Sequence, residues 1–476
     1  MAFFRKNKTL IVVVLLLAAG AACRIWVSQL NWMHYDENYY LDITQNYIAR
    51  GEITPYMWRL GDLPIIAGGG SGYGILLLIA GLQTVGNSLV WGRILMAAVN
   101  LISAGVIYWV ARKWWTSRLA GLAAFGYAIV ATSSFNTIIV KMDALGILSY
   151  SLVLLLYVYA YPKERFWLHF LVGVGIVATA EFHILGVIYM FALAACYGYD
   201  LLHDSIANRR LVIRRSVWGF ATGALSAGIV YLVIHVLPDP EAYFVISQTC
   251  FECNENILVT EGKRLLRLLA FRPHEVLILL AVIVLVVKRK KAADRRYLVL
   301  ALGWLVGQAL AGSPPYDHYF NHSWPVLAIG VGGAVAFGSN YKSHPLRIPA
   351  AITAGFALLA VTTGMYLTGS YPSLLTYKLE PGPQVLYIQQ NIEKDEIVMG
   401  NVPNYYYLRD YSNYLAYRDG SVYGAILRGE DMLAFWRRTQ PKAILLDQDL
   451  IEKDAELQQY LAEGAFEQIM PDLWVR

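Results

Sequence analysis

The chain has 476 residues, of which 57% are hydrophobic and 15% are charged, and its formal net charge is +5. A chain of this size with so few charged residues cannot cover an ordinary soluble surface, so the composition excludes a soluble globular enzyme and indicates a polytopic membrane protein. The positive charge is explained by membrane topology, and we therefore expect no nucleic-acid partner.

The first apolar run covers 9–27 and follows three basic residues, a pattern that resembles a signal peptide. No small-residue cleavage site follows and similar runs recur along the chain, so we interpret this run as the first transmembrane helix. Further runs approach the roughly 20 residues that a bilayer core requires. They lie at 92–111, 119–138, 144–161, 166–180, 184–201, 216–236, 273–287, 297–312, 324–339 and 348–369. These lengths predict about eleven transmembrane helices.

Basic residues are gathered in six clusters, which hold about half of the 39 Lys and Arg side chains. The clusters lie at 5–8, 112–118, 163–165, 209–215, 288–296 and 342–347. All of them fall in alternate loops, which predicts a cytoplasmic N-terminus and a C-terminus on the outer face. The run 71–90 would break this alternation if it crossed the membrane, so we predict that it forms a re-entrant or interfacial helix at the outer face.

The composition changes after about residue 370, where long apolar runs end and charged residues become frequent. Apolar pieces at 396–400 and 442–447 alternate with helical patterns at 429–439 and 454–466, which is typical of a small α/β layer. The predicted fold class is therefore mainly α. We expect a polytopic membrane helical bundle with interfacial helices over 1–369 and a small α/β outer domain over 370–476.

Two adjacent carboxylates, Asp36 and Glu37, follow the first apolar run. Apolar and aromatic residues at every third or fourth position from Asp36 to Tyr47 predict an amphipathic helix along the outer leaflet, with Gly51 at its end. A role as helix cap would explain Asp36 on its own. A cap would not require Glu37 beside it, so Asp36 is a candidate catalytic residue, with capping as the alternative.

Further polar residues lie at the outer ends of later apolar runs, where a charge is costly unless it is paired or faces water. These residues are Lys141, Asp143, Glu181, His183, Asp317, His318 and Tyr319. Each one alone is explained as a satisfied helix-end residue. Together, on one side of the membrane, they predict a polar cavity that opens toward the outer face.

The predicted outer loop 237–272 contains a basic strip and a cysteine pair. Lys263, Arg264 and Arg267 share one helical face opposite leucines, so the strip can bind lipid phosphate, and a simple surface-seeking helix is the alternative. Cys250 and Cys253 have a spacing that suits a local disulfide, a metal or a redox pair. No second cysteine pair completes a zinc site, so we favour a local disulfide or no function.

The order and sidedness of these motifs resemble those of the GT-C membrane glycosyltransferases, in particular the relatives of ArnT and of the protein O-mannosyltransferases in glycosyltransferase family 39. The matching residues are Asp36 and Glu37, Tyr40, Asp143, and His318-Tyr319-Phe320 before Pro325. The resemblance implies transfer of a sugar from a polyprenyl-phosphate carrier in the membrane. The acceptor would be a glycan, a glycolipid or a protein at the outer face of the bacterial cytoplasmic membrane.

This reaction requires a carboxylate that takes the acceptor proton and positive charge that meets the departing phosphate. We predict that Asp36 is the general base of an inverting attack, with Glu37 and Asp143 as supporting carboxylates or metal ligands. The predicted phosphate ligands are Lys141, Arg264, Arg267, His318 and Tyr319, with a divalent cation, Mg²⁺ or Mn²⁺, as an alternative. The predicted residues of the substrate cavity are Tyr40, Glu181 and His183.

Two other functions are open at this point. A secondary transporter of a polar or lipid-linked solute usually shows repeated halves and polar groups at mid-bilayer, and the sequence has neither pattern. A non-catalytic scaffold for envelope assembly would not need Asp36 and Glu37.

Overall fold

The computed structural model describes most of the bundle and the C-terminal part of the chain. Apart from a few isolated positions, the described residues are 32–51, 74–132, 138–182, 186–208, 213–238, 292–310, 322–339, 376–378, 381–408, 413–417 and 429–476. The predicted runs 9–27, 273–287 and 348–369 lie wholly or largely outside these ranges, as do the basic strip and the cysteine pair of the predicted loop 237–272.

Helices dominate the first 340 residues. They are α1 (Tyr35–Arg50), α2 (Ile75–Val85), α3 (Leu89–Trp114), α4 (Arg118–Ala131), α5 (Asp143–Ala160), α6 (Phe166–Ala178), α7 (Gly186–Asn208), α8 (Arg215–Tyr231), α9 (Ala292–Leu310) and α10 (Trp324–Ser339). Helix α8 continues as a π-helical turn, Leu232–Val236. Within the part of the chain that the structure describes, α3, α5 with its following turn, and α8 with its π-turn are long and apolar enough to cross a membrane.

Helix α2 occupies the run 71–90, which was predicted not to cross the membrane. It has 11 residues and ends at Gly86, where a left-handed backbone conformation (φ 103°) terminates the helix. At 1.5 Å per residue such a helix is about 16 Å long, roughly half of a bilayer core. It is therefore too short to cross, and its depth in the membrane stays a prediction.

Apolar side chains of α3 to α10 form one continuous buried core. Helices α6 and α8 pack closely, because glycines allow their backbones to approach. A Cβ atom added at Gly223 would lie closer than 3.0 Å to the backbone carbonyl group of Phe170, and Gly173 and Gly219 have equally close backbone neighbours. Small residues have this role at many membrane helix interfaces.

We expect Gly223→Ala to destabilise the protein by about 1–3 kcal/mol, because the two helices must separate to admit the methyl group. Gly228→Ala on the same helix is the matched control, since a Cβ there has no neighbour within 4 Å. Thermal unfolding of both variants in detergent measures the difference. Equal melting temperatures for the two variants would contradict the close packing described for α6 and α8.

The C-terminal part contains a five-stranded sheet with short helices around it. The strands of the chain are β1 (Trp32–His34), β2 (Thr376–Lys378), β3 (Val398–Gly400), β4 (Tyr414–Ala416), β5 (Ala443–Leu445), β6 (Glu467–Met470) and β7 (Leu473–Val475). The short helices are α11 (Pro383–Asn391), α12 (Val402–Tyr405), α13 (Met432–Thr439), α14 (Gln448–Ile451) and α15 (Ala455–Glu463). The sheet order is β4-β3-β5-β7-β6, with β3, β4 and β5 parallel and β7 antiparallel to both neighbours.

Four of these elements coincide with predicted pieces: β3, β5, α13 and α15 lie within the apolar and helical patterns of the sequence. The domain boundary at 369/370 stays a prediction, because it lies outside the described residues.

The C-terminal part is attached to α1 in two places. Strand β1 pairs antiparallel with β2, so that His34 lies opposite Thr376. In addition, the hydroxyl of Tyr405 donates a hydrogen bond to Asp42 Oδ1 over 2.8 Å. Both contacts cover α1, which was predicted as a surface helix with one apolar face. That prediction is wrong for residues 37–44, whose side chains are all buried because α2, α3 and the C-terminal part enclose this part of the helix.

Candidate active site

The first turn of α1 is organised by a capping box in which Asp36 is not the cap. The N-cap is His34, whose Nδ1 accepts from the Asp36 amide at 3.1 Å, while Glu37 accepts from the His34 amide at 2.8 Å. Burial lowers the pKa of His34 below its ordinary value and outweighs the nearby Asp36 carboxylate, so the ring is neutral near pH 7 and can accept this bond. The alternative role of Asp36 as helix cap is thus excluded.

The Asp36 side chain instead forms an ion pair with Lys141. The Lys141 Nζ atom lies 3.0 Å from Asp36 Oδ2 and 3.0 Å from Asp143 Oδ2. Lys141 is nearly buried, with 5% of its side chain exposed, whereas the Asp36 side chain is 26% exposed. Among these three groups, Asp36 has the most exposed side chain.

A buried chain of hydrogen bonds continues from Asp143 into the bundle. His322 Nε2 lies 2.6 Å from Asp143 Oδ1, and His322 Nδ1 lies 2.7 Å from the hydroxyl of Tyr189. The ring of Tyr189 stacks on Tyr150 at a centroid distance of 3.8 Å. The order Tyr189, His322, Asp143, Lys141, Asp36 is called the polar relay below.

Sequence reasoning missed His322 and Tyr189. It selected His318 and Tyr319, which lie outside the described residues, from the same short segment. A usable signal was the position of His322 two residues before α10, at the end of an apolar run, where a polar side chain is costly unless it is paired. For Tyr189, inside an apolar run, no local signal separates it from an ordinary core tyrosine.

Glu37 has a different environment from its neighbour. Both Glu37 and Arg93 are fully buried, and Arg93 donates two hydrogen bonds of 2.7 Å to the two carboxylate oxygens. The amides of His34 and Val140 donate to the same oxygens at 2.8 and 3.1 Å. Four donors therefore hold the carboxylate, and the pair joins α1, α3 and the segment before α5. Arg93 was missed because it lies one position inside an apolar run.

The geometry does not fit the metal ligands predicted from the sequence. Glu37 turns away to Arg93, and the ammonium group of Lys141 lies between Asp36 and Asp143, where a cation would have to bind. Over the described ranges, no group of three or more His, Cys, Asp or Glu residues is arranged to hold a metal ion.

The residues predicted to line the cavity lie in different surroundings. Tyr40 is buried in an apolar cluster and packs edge-on against Tyr39 at 5.0 Å. Glu181 pairs with His235, at 2.7 Å between Oε1 and Nε2. The remaining predicted residues, His183, Arg264, Arg267, His318 and Tyr319, lie outside the described residues.

The fold is that of the GT-C glycosyltransferases, as the order of the motifs predicted, and the chain is a membrane protein. ArnT from Cupriavidus metallidurans bound to undecaprenyl phosphate matches with a TM-score of 0.58 and 14% identity, over 97% of this chain and 97% of that chain. The oligosaccharyltransferase AglB from Archaeoglobus fulgidus, in complex with an inhibitory peptide and a dolichol-phosphate, matches with a TM-score of 0.55 and 12% identity, over 94% of this chain and 70% of that chain.

The Archaeoglobus fulgidus oligosaccharyltransferase in complex with Zn and sulfate matches with a TM-score of 0.52 and 12% identity, over 84% of this chain and 62% of that chain. No protein-family model matches the chain, and no curated protein matches it. At these identities the structural likeness establishes the fold.

Proposed function

We propose that this protein is a membrane glycosyltransferase that moves a sugar from a polyprenyl-phosphate carrier to an acceptor. The observation that carries the proposal is the position of Asp36, the accessible end of a buried polar relay, in a fold shared with proteins that bind undecaprenyl phosphate or a dolichol-phosphate. The acceptor is a glycan, a glycolipid or a protein at the outer face of the cytoplasmic membrane.

In the proposed reaction, Asp36 removes the proton from an acceptor hydroxyl as the hydroxyl oxygen attacks the anomeric carbon of the donor sugar. The bond between that carbon and the phosphate oxygen breaks, and its electron pair leaves with the polyprenyl phosphate. Attack from the face opposite the phosphate inverts the anomeric configuration. The proton remains on Asp36 until it is released to the outer solution.

Lys141 is proposed to position the base. Its charge is shared between Asp36 and Asp143 at 3.0 Å each, so it is not an uncompensated cation that could meet a phosphate. An ammonium beside Asp36 favours the ionised form that a general base requires. The compensation of the leaving phosphate is therefore assigned to Arg264, Arg267, His318 and Tyr319, which remain the predicted phosphate ligands.

Asp143 and His322 are proposed to hold Lys141 in place. His322 and Tyr189 are buried among the packed helices, so their positions are fixed by the bundle core. Through Asp143 they hold the Lys141 ammonium group in place. Preorganised groups of this kind contribute to catalysis because they need no rearrangement when charge develops. Glu37 and Arg93 are proposed to fix the start of α1 beside the relay.

The C-terminal part is proposed to be a soluble outer domain that covers the acceptor side of the site. Its contacts with α1, through β2 and Tyr405, support this assignment. The alternating basic clusters support a cytoplasmic N-terminus, and with it a bacterial multi-pass membrane protein whose site faces outward.

A donor-consumption assay tests the proposed function. Purified protein in lipid nanodiscs is incubated with a panel of radiolabelled polyprenyl-phosphate hexoses and pentoses, together with an extract of membrane glycolipids and glycans as acceptors. We expect the wild type to release polyprenyl phosphate from at least one donor and to transfer the label. No consumption of any donor above the rate of Asp36→Asn would contradict the proposal.

A further inference from the structure

A second acid–histidine pair lies at the same end of the bundle as Asp36. Glu181 follows α6 and His235 lies in the π-helical turn after α8, with 2.7 Å between Glu181 Oε1 and His235 Nε2. His235 is 2% exposed, whereas Glu181 is 27% exposed. The pair therefore has the same design as Lys141 and Asp36: a buried partner holds a carboxylate that remains accessible.

The π-helical turn determines that His235 faces Glu181. Gly219 and Gly223 mark the side of α8 that faces α6, and continuation at 3.6 residues per turn would bring Ile234 to that side. The wider turn Leu232–Val236 adds one residue, so His235 takes the inward position and Ile234 is exposed. π-turns are rare and frequently occur at functional sites. Here the turn replaces an apolar inward side chain by a histidine that binds a carboxylate.

The segment that carries Glu181 packs against α5, the helix that begins with Asp143 of the polar relay. The next residue, Phe182, contacts the position of Gly146, one turn after Asp143 in α5. The pair also borders exposed apolar residues, namely Leu232, Val233 and Ile234 of the π-turn and Leu237 directly after it. The pair thus adjoins an apolar surface that suits lipid chains and follows a helix that packs against α5, which carries Asp143.

We propose that Glu181, held by His235, is a subsite for the sugar ring of the lipid-linked donor. A carboxylate repels phosphate and accepts hydrogen bonds from hydroxyl or ammonium groups, so the ligand it suits is a sugar ring and not the phosphate. The adjacent apolar surface favours a sugar that is attached to a lipid, which distinguishes the donor from a water-soluble acceptor. This inference rests on the proposed glycosyltransferase function and adds the residues that recognise the sugar.

A comparison of two ligands tests the subsite. The affinities of the protein in nanodiscs are measured for polyprenyl phosphate and for the polyprenyl-phosphate sugar that the wild type consumes. We expect Glu181→Gln and His235→Gln to weaken binding of the sugar-bearing lipid roughly tenfold or more and to leave polyprenyl phosphate unchanged, as the loss of one charged hydrogen bond predicts. Apparent KM values, measured separately for donor and acceptor, show which of the two substrates binds less tightly.

Glu164→Gln is the matched control. Glu164 pairs with Arg214 at 3.0 Å at the opposite end of α6 and α8. The substitution therefore removes the same charge as Glu181→Gln, far from the proposed subsite. We expect it to change neither affinity. An equal loss of affinity for both lipids, a rise in the acceptor KM alone, or no change in Glu181→Gln would overturn the subsite while the transfer activity of the wild type stands. Absence of donor consumption by the wild type would overturn both proposals.

Discussion

Asp36→Asn is expected to abolish sugar transfer while the protein inserts and folds normally. Asparagine keeps the shape of the side chain and can still accept a hydrogen bond from Lys141, but it cannot take a proton. Loss of a positioned general base reduces the rate by about a hundred- to ten-thousandfold. The capping box of α1 does not use the Asp36 side chain, and Lys141 keeps its ion pair with Asp143, so we expect little loss of stability. Donor consumption by purified variants in nanodiscs measures the rate.

Two comparisons make this result specific. Asp36→Glu retains a carboxylate and should recover part of the activity, whereas Glu164→Gln removes a distant charge and should have the wild-type rate. Retention of more than about a tenth of the wild-type rate by Asp36→Asn lies outside the loss expected for a base. That outcome would transfer the role to another carboxylate, and Asp143 is the nearest one that shares Lys141.

Arg93→Met is expected to give the largest loss of stability, about 3–5 kcal/mol. The substitution leaves Glu37 as a fully buried carboxylate without its bidentate partner, and burial of an uncompensated charge is strongly unfavourable. Arg93→Lys should recover only part of the loss, because one ammonium group cannot donate to both oxygens in the same geometry. Thermal unfolding in detergent compares the three proteins.

The double variant Glu37→Met/Arg93→Met distinguishes two causes of lost stability, namely the unpaired buried charge of Glu37 and the loss of packing around Arg93. Because the replacement removes both charges, we expect it to be more stable than Arg93→Met alone. If Arg93→Met unfolds at the wild-type temperature, the buried pair does not hold α1 in the way described. Activity is recorded in parallel, since α1 carries Asp36.

The parts of the fold that depend on local pattern were predicted well. Helices α3, α5, α6 and α10 lie close to the predicted runs because an apolar run of sufficient length has few other conformations available in a membrane. Gly51 ends α1 in the left-handed conformation, as its position predicted, because glycine adopts that conformation without strain. Asp36 was selected as a candidate for a similar reason, since a carboxylate beside a membrane span requires an explanation by itself.

The parts that were missed depend on contacts between distant segments. His322 reaches Asp143 across 179 positions, and Arg93 reaches Glu37 across 56. A single histidine or arginine near the end of an apolar run is compatible with many partners, and one sequence does not state which partner the fold brings near. The burial of α1 was missed for the same reason, because the residues that cover it come from the other end of the chain.

The hydrogen bond between Tyr405 and Asp42 joins residues that are 363 positions apart, and β1 has its partner strand in the same late region. During biosynthesis α1 therefore leaves the ribosome long before the segments that hold it in place. Insertion of the intervening helices brings the two ends together and reduces the entropy that closing so long a loop requires. A nascent chain that stops before residue 376 would contain Asp36, Lys141 and His322 but neither contact that holds α1, so α1 acquires these contacts only after the last segment has been made.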